Sequence, residues 1–277
     1  MNEVELSCGT VEYEDTGGDG PVLLLLHGFL MDSSLWSGVI AELRADCRCV
    51  APTLPLGAHR RAMDPGADLS LPGVAGLVAE LIDRLHLHDV TIVGNDTGGA
   101  LVQLLIGDDA VGIVRAVLAS CDAFDNFPPG LTGRTLVRSG RLSPALFGIF
   151  MQQMRLKVVR RLPLAFGWLT KRGDAATRQW LDPVLNRPEI RRDAVRMLRA
   201  AAADTDLLVT AAEHLPSFDH PVLVVWAAED RVMPPDHARR LAGLFPRARR
   251  VEVEDSYTLV PLDQPEVLAR LLREFVA

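Results

Sequence analysis

The sequence predicts an α/β fold: a doubly wound, mostly parallel sheet with an inserted helical cap. Three observations carry that reading. Short, continuous apolar runs recur along the chain, amphipathic helical patterns separate most of them, and one long central segment keeps the helices but drops the strands. A run that is apolar at every position suits a parallel strand covered by helices on both faces, and strands alternating with helices make βαβ units.

Taken in order, residues 4–13 alternate apolar and polar about Gly9, and Thr16-Gly17-Gly18-Asp19-Gly20 makes a turn, so an antiparallel hairpin comes first. Buried strands are expected at 22–26, 49–54, 90–93, 114–119, 222–226 and 251–253. Apolar residues spaced by three and four mark helices over 73–85, 98–106, 237–244 and 265–275. Between Phe124 and Phe218 the pattern is helical only, broken at Pro128-Pro129, Pro144, Pro163 and Pro183. The expected organisation is therefore a core of residues 1–124 and 219–277 carrying a cap of residues 125–218. Within the cap, Phe147, Phe150, Met151 and Met154 have a spacing that lines a pocket or fastens the cap to the core, and either use gives the same apolar stripe.

Composition narrows the function. The chain has 277 residues and is 48% hydrophobic, enough for one substantial core, and its net charge of -7 opposes nucleic acid as a partner. Residues 1–8 carry acids and no apolar run, so no leader, no membrane partner and a cytoplasmic location are expected. Cys47 and Cys49 are two apart, which is neither the C-x-x-C spacing of a redox pair nor that of a zinc site, so no metal is expected. A small-molecule substrate is the expected partner, and a homodimer stays open.

The chemistry concentrates where the strand at 90–93 runs into a helix through Gly94-Asn95-Asp96-Thr97-Gly98, a G-x-D-x-G nucleophile elbow with aspartate in place of serine. Glycines two positions either side of Asp96 let the chain turn sharply, presenting the carboxylate in a strained, exposed position. The ordinary alternative for such an aspartate is a helix N-cap. Upstream, Leu26-His27-Gly28-Phe29 ends an earlier strand, and the backbone amides of Phe29 and Thr97 are the expected oxyanion hole. His27, Trp36 and Asn95 join the four cap residues as expected substrate contacts.

These motifs resemble the α/β-hydrolase superfamily, nearest the branch of haloalkane dehalogenases, epoxide hydrolases and related lyases. The resemblance runs over nearly the whole chain: His27-Gly28-Phe29, Gly94 to Gly99, the strand leading to Glu229-Asp230-Arg231-Val232-Met233-Pro234, and Asp255-Ser256-Tyr257-Thr258 before Val260-Pro261-Leu262. It implies Asp230 as the acid of a catalytic triad and puts Thr258 where the family carries its histidine. His27 belongs to the oxyanion turn, His220 precedes a strand at its wrong end, and His86, His88, His214 and His237 lie on helical or linker surfaces. His59, in the loop after the strand at 49–54, is the alternative base. The halide-binding tryptophan that dehalogenases place after the nucleophile is Thr97 here, and the two tyrosines, Tyr13 and Tyr257, lie outside the cap where epoxide hydrolases use theirs.

Three readings follow. The first is a cofactor-free enzyme in which Asp96 is general acid/base for addition, elimination, isomerisation or cyclisation of a carbonyl-bearing, aromatic or polycyclic metabolite, as in specialised-metabolite biosynthesis, with Thr258 orienting Asp96 or a water. The second is a hydrolase of an ester, epoxide or halide, with Asp96 as nucleophile and His59 recruited as base. The third is a small-molecule binding protein that kept the pocket without the chemistry. The basic residues of the cap, Arg134, Arg138, Arg141, Arg155, Lys157, Arg160, Arg161, Lys171 and Arg172, would suit an acidic or phenolate substrate, although charge on a solvated helix face is the commoner reason for such a run.

Overall fold

The computed structural model describes residues 1–107 and 112–277. Its strands are β1 (Asn2–Leu6), β2 (Gly9–Asp15), β3 (Val22–Leu26), β4 (Arg48–Thr53), β5 (Val90–Asp96), β6 (Ile113–Cys121), β7 (Val222–Ala227) and β8 (Ala248–Val253). Among the described residues these form one eight-stranded sheet in the order β1-β2-β4-β3-β5-β6-β7-β8. The opening hairpin pairs antiparallel and docks antiparallel on β4, while every pairing from β4 to β8 is parallel. β5 and β7 are buried along their whole length, and β7 accordingly reads as an unbroken apolar run.

The helices are α1 (Ser37–Leu43), α2 (Leu71–Arg84), α3 (Thr97–Gly107), α4 (Gly130–Ser139), α5 (Pro144–Gln152), α6 (Lys157–Arg160), α7 (Asp174–Trp180), α8 (Asp182–Asn186), α9 (Pro188–Ala203), α10 (Leu207–His214), α11 (Pro235–Leu244), α12 (Val260–Asp263) and α13 (Pro265–Val276). α1 packs on α13, and α2 and α10 pack on α3. Helix α2 begins where Ser70 caps it, the Gly73 amide donating to Ser70 Oγ at 3.2 Å. α1, seven residues long and entered through a 3-10 turn at Ser33–Trp36, is too short to show a periodicity in sequence. Among the described residues no helix is long and apolar enough to cross a membrane.

Helices alone fill the segment between β6 and β7, and α9 packs on α4, α5 and α8. Buried polar ties hold these helices over the sheet. Asp263 accepts the Thr170 hydroxyl at 2.7 Å and the Lys171 and Arg172 amides at 3.0 and 3.1 Å. Trp180 donates its indole N–H to Ser34 Oγ at 2.7 Å, and Asp193 on α9 accepts the Met63 amide at 2.9 Å. α10 packs against α3 instead of joining α4 to α9.

Chain order reverses around β3, which has β4 on one side and β5 on the other. The crevice at the carboxyl ends of such a pair is where open α/β sheets bind ligands, and both His27-Gly28-Phe29 and Asp96 lie there. Glycine makes the junction possible, since a Cβ at Gly98 would collide with the Leu26 carbonyl and one at Gly94 with the backbone of Gly98. Gly98→Ala is therefore expected to cost about 1–3 kcal/mol in a denaturant titration. On α2, where a Cβ at Gly76 meets nothing within 4 Å, Gly76→Ala is expected to stabilise by about 0.5–1 kcal/mol.

Candidate active site

Asp96 ends β5 with φ 56°, a left-handed conformation that aspartate tolerates when its side chain bonds locally. Its Oδ1 accepts the Thr97 amide at 2.8 Å and the Thr97 hydroxyl at 3.1 Å. The Phe29 amide faces the same carboxyl and favours its charged form. Gly28 lies so close that a Cβ there would overlap the carboxylate. The two amides expected as an oxyanion hole for substrate are thus turned to Asp96 itself. The expectation of an exposed carboxylate is also corrected: Asp96 is only 5% accessible. Burial pushes its pKa up to about 6, against the Thr97 and Phe29 donors that favour the charge, with the nearby Asp230 adding to the rise.

Asp96 and Thr97 form the floor of a cavity of about 70 Å³ beneath the helices that follow β6. Phe29 and Leu30 wall it from the β3 turn, Phe150, Met151 and Met154 from α5 and the turn after it, and Phe166, Leu169 and Val232 close it. Thr132 and Thr135 on α4 add hydroxyl-bearing side chains. Among the described residues, Asp96 is the only ionisable side chain on this wall.

Several expected contacts lie elsewhere. Trp36 is fully buried in the core behind the β3 turn, and Phe147 is fully buried on α5, which packs on α8 and α9. His27 accepts the Leu54 amide at Nε2 (2.8 Å), and its Nδ1, protonated in that tautomer, donates to the Gly28 carbonyl (2.9 Å). Burial holds its pKa down to about 4, so it is a neutral strut fastening the β3 turn to β4. Asn95 donates to the carbonyls of Ala119 (2.7 Å) and Thr258 (2.8 Å), tying β5 to β6 and to the segment after β8. His59 is buried beside Asp193, its Nε2 at 3.4 Å from that carboxylate, and is absent from the cavity wall.

Asp230 and Thr258 are brought together, but with each other and off the cavity wall. The Thr258 hydroxyl donates to Asp230 Oδ1 at 2.8 Å, and the Val232 and Met233 amides donate to the same oxygen at 2.9 and 2.8 Å. The expected bond from Thr258 to Asp96 is replaced by this one. Burial raises the Asp230 pKa against these donors, and its Oδ2 has no partner among the described residues. Part of the basic run makes structural ties: Arg160 donates to the Met154 and Arg155 carbonyls (both 2.9 Å), and Lys171 pairs with Glu229 and Asp255. None of the nine reaches the cavity.

One residue escaped sequence reasoning. Asp122, directly after β6, is fully buried, with Oδ2 2.9 Å from the Thr97 hydroxyl. Its signal was an acid just past an apolar run at the carboxyl edge of a central strand. Burial first, then the charge of Asp96, raises its pKa well above the ordinary carboxyl value.

An aspartate on a strand-turn-helix elbow, over a doubly wound sheet and under a helical segment, defines an α/β hydrolase. Residues 23–271 match the model of the Alpha/beta hydrolase family, and the chain belongs to that family. Haloalkane dehalogenase 2 of Mycobacterium tuberculosis is 26% identical over 272 residues, covering 97% of this chain and 92% of its own length. The fold is shared with an ancestral haloalkane dehalogenase (22% identity, TM-score 0.79, 100% and 98% of the two chains). It is also shared with a thermophilic esterase from Thermogutta terrifontis (23% identity, TM-score 0.75, 99% and 97%).

The buried carboxylate costs stability in a defined pH window. Because the folded pKa of Asp96 lies above the ordinary 3.8, the penalty is absent below pH 3.8, grows up to about pH 6 and is complete above it. Asp96→Asn, which keeps an acceptor for the Thr97 amide and suits a left-handed φ, is expected to stabilise by up to about 3 kcal/mol at pH 8 and not at pH 4. Thermal melts of both proteins at the two pH values check this. An equal gain at both would show that Asp96 ionises without hindrance.

Proposed function

We propose that the protein is an enzyme in which Asp96 moves a proton on a small, apolar carbonyl compound, in an addition, elimination, isomerisation or cyclisation that takes no oxygen from water. The observation that carries this reading is that, among the described residues, Asp96 is the sole ionisable group on the wall of an apolar cavity and no histidine faces it. A carboxylate titrating near 6 is largely ionised at neutral pH and more basic than an ordinary one, as a general base needs. It takes the proton from a carbon or hydroxyl of the substrate and can return it elsewhere on the same molecule. The substrate oxygen that gains charge is served from the cap side by Thr135, since the Thr132 hydroxyl donates to the Pro163 carbonyl at 2.9 Å. At about 70 Å³ the cavity is smaller than the ~150 Å³ that holds benzene, so a polycyclic substrate would require the overlying helices to lift.

Hydrolysis through an aspartyl ester would need a base for the attacking water. Thr258 stands at that place with a hydroxyl, which cannot accept a proton from water near neutral pH, and it is already committed to Asp230. A second reading, attack by Asp96 on an alkyl halide or epoxide, is favoured by the kinship with Haloalkane dehalogenase 2. Lacking a base, that route would stop at a stable ester.

Turnover of a substrate found by screening apolar carbonyl compounds in heavy-oxygen water is expected to give product without solvent label and no adduct in the intact-mass spectrum. Its rate is expected to fall as pH drops through about 6 and to be lost in Asp96→Asn. Stoichiometric label would return the protein to the hydrolases, and an accumulating adduct would support the second reading. Binding unchanged in Asp96→Asn, with no turnover by either protein, would make it a binding protein.

A further inference from the structure

We propose that Asp122 is a positioning residue that keeps a proton at neutral pH and, through the Thr97 hydroxyl, orients the Asp96 carboxylate. The inference deepens the proposed function and rests on Asp96 being the working carboxylate. Thr97 Oγ1 sits between two acids, 2.9 Å from Asp122 Oδ2 and 3.1 Å from Asp96 Oδ1. A hydroxyl has a single proton to donate. Were both acids ionised, one of these contacts would set lone pair against lone pair in a buried site. Both become hydrogen bonds when one acid is protonated, giving the chain Asp122 O–H to Thr97 Oγ1, and Thr97 O–H to Asp96 Oδ1.

The surroundings assign the proton to Asp122. Asp96 also receives a backbone amide from Thr97 and borders the cavity, whereas Asp122 is fully buried and its Oδ1 has no donor among the described residues. An ionised oxygen left without a partner in the interior is far costlier than the carbonyl oxygen of a neutral acid. Among the described residues the titratable groups facing this pair are Asp230 and Cys121, neither of which supplies positive charge. Burial also holds the Cys121 thiol well above its ordinary pKa, so it stays neutral.

With Oδ1 of Asp96 held by both donors of Thr97, a proton arriving from substrate goes to the other oxygen. The chain transfers no proton of its own during this step. It fixes the direction of the Thr97 hydroxyl, which otherwise is free to turn to either acid.

The test needs no substrate. Protein carrying carbon-13 in its aspartate carboxyls is titrated by NMR as wild type, Asp96→Asn, Asp122→Asn and Thr97→Val. One carboxyl is expected to stay protonated at neutral pH and to disappear in Asp122→Asn. The resonance lost in Asp96→Asn is expected to titrate near 6 in the wild type. Its midpoint should be unchanged in Asp122→Asn, whose amide donates to Thr97 as the neutral acid does, and about one unit higher in Thr97→Val. If Asp122 is ionised, no high-titrating carboxyl is lost, and removing its charge lowers the Asp96 midpoint by a unit or more; that result overturns the proposal. If the titrations come out as expected and Asp96→Asn still turns over substrate, the proposed function fails while the assignment of the proton stands.

Discussion

The site depends on one close approach, the backbone of Gly28 lying against the carboxyl of Asp96. It brings the Phe29 amide to the elbow, closes the floor of the cavity and excludes the water that would otherwise solvate the carboxylate. Each neighbour serves that contact. His27 fastens the turn to β4 as a neutral imidazole, Gly98 lets α3 start beneath Leu26, and Thr97 directs both its donors to one oxygen. The cost is a buried anion in a left-handed backbone, a kind of strain that folds tolerate where chemistry uses it.

Three acids, Asp96, Asp122 and Asp230, crowd the carboxyl ends of β5, β6 and β7, and burial raises the pKa of each. Among the described residues no cluster of this kind is set to hold a metal ion. Hydroxyls tie them into the site: Thr97 lies between two of them, and Thr258 binds the third. Asp230 lies in the loop after β7, and its partner is a threonine that cannot exchange a proton with water.

The backbone of this account could be read from sequence because its physics is local. Unbroken apolar runs mark strands buried on both faces, and paired glycines mark the elbow, so β3, β7 and the position of Asp96 were all legible. Side-chain destinations were not. Apolar spacing on α5 says that a face is buried without saying against what: Phe150 and Met151 meet the cavity while Phe147 packs within the helices. Trp36 ends a 3-10 turn whose direction no periodicity reveals. Thr258 stood out as the missing histidine, but its bond to Asp230 depends on where two loops meet. Asp122 belongs to no motif, and only the packing of β6 beside β5 gives it meaning.

The claim at the centre is that Asp96 handles a proton and makes no lasting bond to carbon. A crystal structure with substrate, or a close unreactive analogue, tests it most directly. The account predicts a ligand in the cavity beneath α4 and α5, with an acidic C–H or O–H within about 3.2 Å of the Asp96 carboxylate and its carbonyl oxygen towards Thr135. Continuous density joining the carboxylate to a ligand carbon, or a ligand seated away from Asp96, would contradict it.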